Sequence, residues 1–520
     1  MKKLTIALFA VAFGLVVAGA AFADTDINVY GASAQFNFWS AQAQAWLESP
    51  TGGGCTIGGT KSQSVTPTDN TPAGVLYHGA KYFMAQDTSC ANDPNGGGTI
   101  TLRVTAFDSY DGLGSVSGQS DPFLPDVSTT GPWGMISWPG ATCTGNQRTM
   151  LNSTSAAVFP TNYACETIIL GATDVTPDLL VQTAQGTYID GPKTTAFPYN
   201  FDLTAYPLPL SGVPLNHYQP VVVPFGIFVN KGVTETTCIG GTNAGAPCSA
   251  AGQCNSGSCA LAVPPQGAPW PNGAIQSLSL DMVSQLFSGR ISNWNKLGAQ
   301  FPNLPVAICL RVPGSGTLAT FDYSIMHRTG AALPEFENTI GPPEIWFNFT
   351  SGDMMNCINN VAGAIGIADA DQANKTSGGS NGGTYGPVPY NGYPPSRANI
   401  RNGLYDFYSI ENLWENPANV EKSGQTYGPS APGYHPLVVN FVDYANLPSD
   451  IPAARTFWAS QAEMLQLKTG TGYPTPRAGG AGSVCVGGTN PGAICPATAC
   501  TGGGVCTQQS CADYPAELCP

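Results

Sequence analysis

Two turns in this chain are built from residues that could hold an anion, and each runs directly into a helical pattern. In the first, the apolar run Ile27 to Tyr30 meets Gly31-Ala32-Ser33, and FNFWSAQAQAWLES follows with Phe36, Trp39, Ala43 and Trp46 at helical spacing. In the second, Val306 to Leu310 reads as a strand, Arg311-Val312-Pro313-Gly314-Ser315-Gly316-Thr317 as a Gly-rich turn and LATFDYSIM as a helix. The start of a helix presents unpaired N–H groups and the positive end of its dipole, so either turn could hold an anion. Taken singly, these residues have plainer readings. Gly-Ser-Gly-Thr is a tight strand-to-helix connection, Arg311 a surface ion-pair partner, and Asp174 a cap or turn residue ahead of Val175-Thr176-Pro177-Asp178. Phe36, Phe38, Trp39 and Trp46 read as core.

Cysteine is the other reactive residue type, and its 16 copies are unevenly spread. Cys238, Cys248, Cys254 and Cys259 lie in CIGGTNAGAPCSAAGQCNSGSC, and the end of the chain repeats the pattern as CVGGTNPGAICPATACTGGGVCTQQSC, carrying Cys485, Cys495, Cys500, Cys506 and Cys511, with Cys519 beyond. Segments so rich in Gly, Ser, Thr and Asn cannot bury an apolar core, so crosslinks must hold them. Zinc is disfavoured because the repeats contain no His and no Cys-x-x-Cys pair, and no Cys-x-x-Cys-His suggests haem. Disulfides are expected, with their pairing left open. Cys55, Cys90, Cys143, Cys165, Cys309 and Cys357 are scattered, and their partners are equally undetermined.

The frame around these residues is large, at 520 residues. With 63 Gly and 44 Pro, yet only 10% charged and 42% hydrophobic residues, the composition predicts a loop-rich globular protein rather than a disordered one. A net charge of −14 without a basic cluster argues against nucleic acid as a partner. Residues 1–23 read as a secretory signal: Lys2 and Lys3, an apolar run from Leu4 to Val17, and Ala21-Phe22-Ala23 before Asp24. No later stretch is apolar for the roughly 20 residues needed to span a bilayer, so membrane insertion is not expected. A periplasmic or secreted location follows, where an oxidising compartment suits the cysteines. Neither a His-Glu-x-x-His nor a P-loop sequence occurs, and an enzyme is not expected.

Several motifs together carry a resemblance. RVPGSGT at 311–317, LSLDMVSQLFSGRISNWNKLG at 278–298 and GAIGIADAD at 363–371 resemble the periplasmic phosphate-binding proteins of ABC transporters. GASAQF at 31–36 takes the place of that family's Gly-Ala-Gly-Ala-Thr-Phe loop, GATD at 171–174 that of Gly-Ala-Ser-Asp, and YQPVVVPFGIFVNKG at 218–232 that of a strand crossing between lobes. The start Asp26-Ile27-Asn28 resembles the DING proteins of the same superfamily.

The resemblance implies an α/β, two-lobed, type 2 periplasmic-binding-protein-like fold, here with a disulfide-rich insert and tail. The expected divisions are a first lobe at 24–222, a second at 223–390 with the insert 238–259 projecting from it, a return to the first lobe at 391–476, and a Cys-rich tail at 477–520. It implies a small oxyanion, phosphate first, captured without metal or cofactor in the interlobe cleft, with an ABC transporter permease as a further partner. Arg311 would supply the bidentate charge, and Ser315, Gly316 and Thr317 the neutral donors. Asp174 would accept a hydrogen bond from a protonated ligand oxygen and so favour hydrogenphosphate over sulfate. Gln35, in place of the family's Thr, and Phe36 would contribute from the first loop, and Ser109 from SYDGLGS. One departure stands out: Pro313 occupies the position of the family's Asp in Arg-x-Asp-Gly-Ser-Gly-Thr, which removes an acceptor and stiffens the loop. Sulfate, another oxyanion or a carboxylate-bearing solute therefore stay open. The competing expectation is an extracellular scaffold that uses the same fold without transport.

Overall fold

The computed structural model describes residues 24–65, 81–96, 98–119, 143–155, 162–190, 195–203, 207–262, 275–326, 344–348, 350–374, 386–422, 435–446, 457–468, 475–476, 483–486 and 505–508. The expected signal at 1–23 lies outside the described residues, as do Cys495, Cys500, Cys511 and Cys519.

The described chain builds two mixed sheets, each with a parallel centre. The first is assembled from β1 (Thr25–Ala32), β2 (Lys61–Val65), β3 (Lys81–Asp87), β4 (Ile100–Phe107), β7 (Leu170–Thr173), β10 (Asn216–Tyr218) and β18 (Asn412–Glu415), in the order β10-β18-β7-β1-β4-β3-β2. A separate hairpin, β5 (Gln147–Leu151) with β6 (Tyr163–Thr167), packs beside it. The second sheet is drawn from β8 (Thr183–Asp190), β9 (Thr195–Asp202), β11 (Val221–Val229), β14 (Ala307–Arg311), β15 (Glu344–Asn348), β16 (Ala364–Asp369) and β17 (Tyr408–Ile410), in the order β17-β11-β16-β14-β15-β8-β9, with β19 (Ala459–Ser460) also on β11. The central strands β1, β4 and β7 pair in parallel in one sheet, and β14, β15 and β16 in the other. Both faces of a parallel centre are covered, and β4 and β16 are buried at every residue although β4 carries Thr101, Arg103 and Thr105 and β16 ends on Asp369; the antiparallel β11 beside them is an apolar run buried throughout. The α/β class expected from the sequence is what the chain adopts.

The sheets divide the chain differently from a cut at 222. β8 and β9 fall within 24–222, yet β8 pairs in parallel with β15 of the second sheet, Trp346 opposite Ile189. An exposed edge beside β15 would offer unpaired N–H and C=O groups, and a hairpin arriving from the first half of the chain covers it. Sequence order says nothing about which edge a hairpin will complete. In the return segment the chain changes sheet within a few residues, since β17 joins the second sheet and β18 the first.

Five of the helices are α1 (Phe36–Glu48), α2 (Ser109–Ser117), α3 (Leu280–Phe287), α4 (Gly316–Ser324) and α5 (Ser351–Asn360). α1 and α4 match the two helices read from the sequence, and α1 buries Phe36, Phe38, Trp39 and Trp46 in the core as expected. The insert forms its own hairpin, β12 (Thr236–Ile239) with β13 (Ser258–Leu261), closed by Cys238–Cys254 and Cys248–Cys259. Its buried cysteines form a small cluster separate from the main core, so the insert is a knob on the side of the molecule, tied to it through the Thr236 N–H donating to the Gln300 carbonyl at 3.1 Å. The scattered cysteines pair as Cys55–Cys90, Cys143–Cys165 and Cys309–Cys357. Among the described residues no helix is long and apolar enough to cross a membrane.

Candidate functional site

The C-terminal ends of the parallel strands are where such sheets place their sites, because each is followed by a turn into a helix whose N–H groups point back at the strand ends. Here both sheets aim these ends at one place. β1 leads to Ser33 and Gln35, β4 to Ser109, β7 to Asp174, β14 to Arg311 and Ser315, and β15 to Ser351.

Arg311 lies at the end of β14 and is 1% exposed. Its Nη1 is 3.5 Å from both Thr317 Oγ1 and Ser351 Oγ. Burial lowers its pKa, while the charges of Asp174, Asp369, Asp108 and Asp353 act in the opposite direction. One guanidinium therefore sits within the field of four carboxylates. At the start of α4, Ser315 caps the helix by accepting from the Leu318 N–H at 3.4 Å, and Thr317 donates to Asp174 Oδ2 at 3.5 Å.

Ser109 joins the two sheets' turns directly. Its Oγ accepts from the Asp174 N–H and from the Gly316 N–H, both at 3.1 Å, and the Tyr110 N–H donates to the Gly314 carbonyl at 3.0 Å. A hydroxyl oxygen that accepts twice has its own O–H left to donate. This approach demands glycine: a Cβ on Gly316 would lie 2.4 Å from Ser109 Oγ and 2.7 Å from Asp174 Cβ. Ser33 Oγ and Ser351 Oγ, 3.4 Å apart, make a second link between the two sets of turns.

Asp174 is 2% exposed, and its Oδ1 has no hydrogen-bond partner among the described residues. Burial, opposed by Arg311 and reinforced by Asp369, raises its pKa from 3.8 to about 7, and hydrogen bonds from Gln35 and Thr317 hold it back. At neutral pH this carboxyl can thus either accept or donate. Gln35 Nε2 also donates to the Thr173 carbonyl at 3.1 Å.

The sequence candidates Gln35, Ser109, Asp174, Arg311, Ser315, Gly316 and Thr317 are all drawn together. Two candidates are placed differently from expectation. The Phe36 N–H donates to the Ser33 carbonyl and its ring packs in the core with Lys81 Nζ 5.8 Å from the centroid, because a 3-10 turn at 33–35 precedes α1 and uses that donor. The Gly316 N–H, expected to face an anion, is taken by Ser109. Pro313 is buried in the turn that presents the Gly314 carbonyl to Tyr110, and Gly314 has φ +97° there.

Sequence reasoning missed Ser351, Asp353, Asp369 and Glu411. Thr350-Ser351-Gly352-Asp353 after an apolar strand is an N-terminal signature, and Thr350 does cap α5 by accepting from the Asp353 N–H at 3.3 Å. Glu411 carried no local signal. It is fully buried against Trp39, whose Nε1 donates to it at 2.7 Å, and burial raises its pKa well above the ordinary value.

Comparison with known proteins finds likeness of one kind. A high affinity periplasmic phosphate-binding protein, PfluDING, solved with phosphate at pH 8.5, is 13% identical, with 83% of this chain and 95% of that one covered and a TM-score of 0.33. A phosphate-binding protein from Stenotrophomonas maltophilia is 10% identical over 80% and 88%, TM-score 0.33. The ancestral soluble variant of the Human Phosphate Binding Protein is 13% identical over 78% and 87%, TM-score 0.31. Superpositions this loose transfer no ligand position. The family model described as "PBP superfamily domain" matches residues 257–443, the stretch that contains α3, β14 to β18, Arg311 and the α4 turn.

Proposed function

We propose that this chain is a solute-binding protein that takes a small oxyanion, phosphate first, at the α4 turn between its two sheets. The observation that carries this reading is the convergence of a buried guanidinium, Arg311, with an orphaned buried carboxyl oxygen, Asp174 Oδ1, at the start of a helix. A tetrahedral oxyanion needs a charge partner and neutral donors, which Arg311, Thr317, Ser351, Ser33 and the Ser109 hydroxyl can supply. It also needs a reason to be admitted among carboxylates. A ligand with its own proton gives Asp174 Oδ1 a donor, whereas sulfate presents only acceptors and meets repulsion unless Asp174 is itself protonated.

Capture for uptake, a permease partner and an exported location extend this reading, in keeping with the phosphate-binding proteins it resembles. Calorimetry of the purified chain against phosphate, arsenate, sulfate and citrate tests the proposal. Saturable heat with phosphate and arsenate, and weaker heat with sulfate, is expected; no heat with any of the four turns the reading to the scaffold.

A further inference from the structure

A cavity of about 70 Å³ lies beside the site, bounded by the turn after β7 (Asp174, Thr176), the far end of α4 (Tyr323, Ser324), Ser409 in β17 and Lys468 past β19. Lys468 Nζ donates to Ser324 Oγ at 2.8 Å and to the Tyr408 carbonyl at 3.1 Å, and lies 4.7 Å from the centre of the Tyr408 ring. Both oxygens are neutral, no carboxylate is within ion-pair distance among the described residues, and an ammonium has three N–H groups. Among the described residues no acceptor takes its third N–H. On the same wall Ser409 is 8% exposed, and its Oγ has no hydrogen-bond partner among the described residues.

We propose that this cavity is a second anion site, separate from Arg311, in which Lys468 and Ser409 hold a monovalent anion of halide to acetate size. A half-buried cation whose contacts are neutral oxygens and a ring, with the Asp406 charge acting only from a distance, is incompletely compensated, and a counterion restores what water would have supplied. The unpartnered hydroxyl gives the anion a neutral donor beside the charged one. The space is ample for chloride, formate or acetate, and an ion of that size can reach both Lys468 and Ser409 on the one wall. Desolvation, opposed by the charge of Asp406, lowers the Lys468 pKa from 10.5 to about 8, so the ammonium form still predominates at pH 6.5. Asp174, the one carboxyl lining the cavity, is also the one that burial brings closest to neutrality there.

The test is thermal denaturation of the whole purified chain at pH 6.5 and constant ionic strength, with sodium gluconate replaced stepwise by chloride, bromide, formate or acetate. A saturable rise in Tm of about 2 °C or more with the small anions over gluconate is expected. Halides above carboxylates in potency identifies a halide site, and the reverse order a carboxylate site. Lys468→Met should abolish the response, and Ser409→Ala should weaken its midpoint roughly five- to tenfold. Equal Tm in gluconate and in every small anion overturns the proposal, as does a full response in Lys468→Met. If that variant does not fold, an unchanged midpoint in Ser409→Ala overturns it. Arg311→Ala separates the two sites: it should remove phosphate heat and leave the small-anion response, and loss of that response would place the anion at Arg311 instead.

Discussion

At Arg311 a guanidinium that is 1% exposed lies in the field of four carboxylates from distant segments, with no covalent crosslink to them, whereas the knob at 238–259 is largely exposed and held by two disulfides. The first region is drawn from positions as far apart in the chain as Ser33 and Ser351, the second from 22 consecutive residues. A site that must change its contacts when a ligand arrives needs weak, reversible links between distant segments. A knob without an apolar core needs strong links between near ones. The two should accordingly respond to different insults.

Arg311→Ala should have the largest effect. Losing the charged donor leaves an anion facing Asp174 and Asp369, and phosphate affinity should fall by at least ~1.5–3 kcal/mol, read by calorimetry. Wild-type affinity in that variant would mean that the anion sits elsewhere. Gly316→Ala should come next: its Cβ cannot coexist with Ser109 Oγ at 2.4 Å, so the two halves should stay apart, with a larger radius of gyration in solution and roughly tenfold weaker phosphate binding. An unchanged radius and affinity would show that Ser109 simply moves aside.

The ligand-free protein should also carry a pH signature from the cleft. Asp174 has a folded pKa raised from 3.8 to about 7, so the folded state holds its proton more tightly than the unfolded chain does. The stability contributed by the neutral carboxyl is full below about pH 4 and is lost as pH rises towards 7. Denaturant midpoints across that window should therefore fall less in Asp174→Asn than in the wild type, while Asp371, also raised to about 7, keeps part of the slope in both. Parallel profiles would remove Asp174 from the buried set.

The knob should matter least to binding. Replacing Cys238 and Cys254 together by Ala should loosen only the hairpin, where closing a loop of this size is worth about 3 kcal/mol, and should leave phosphate affinity within about twofold. A large loss would couple the knob to the cleft. Smallest of all is Pro313→Asp. It should sharpen the choice of phosphate over sulfate if position 313 faces the anion, and an unchanged competition ratio would make Pro313 purely a shaper of the turn that meets Tyr110.

Much of this contrast was written locally. The strand-turn-helix order at 27–46 and 306–324 follows from apolar period and Gly/Ser turns, and a helix start confers anion affinity wherever it ends up. The knob's cysteines announced crosslinking through their even number and core-poor setting, although their pairing as 238–254 and 248–259 depended on how the hairpin folded back. Ser315, Thr317 and Asp174 could be named only through the family resemblance of the motifs that contain them.

What the sequence determined by itself was therefore the set of elements: which runs are buried strands, where helices begin, and which segments must be stapled. The tertiary structure decided which of those starts face one another. It moved β8 and β9 to the second sheet, spent the Gly316 N–H on Ser109 and the Phe36 N–H on Ser33, and brought Ser351, Asp369 and Glu411 into the neighbourhood of Arg311 or Asp174. The physical reason is range. Backbone propensity and capping act within a few residues, while burial of a charge and the field of its neighbours act through space between segments hundreds of residues apart.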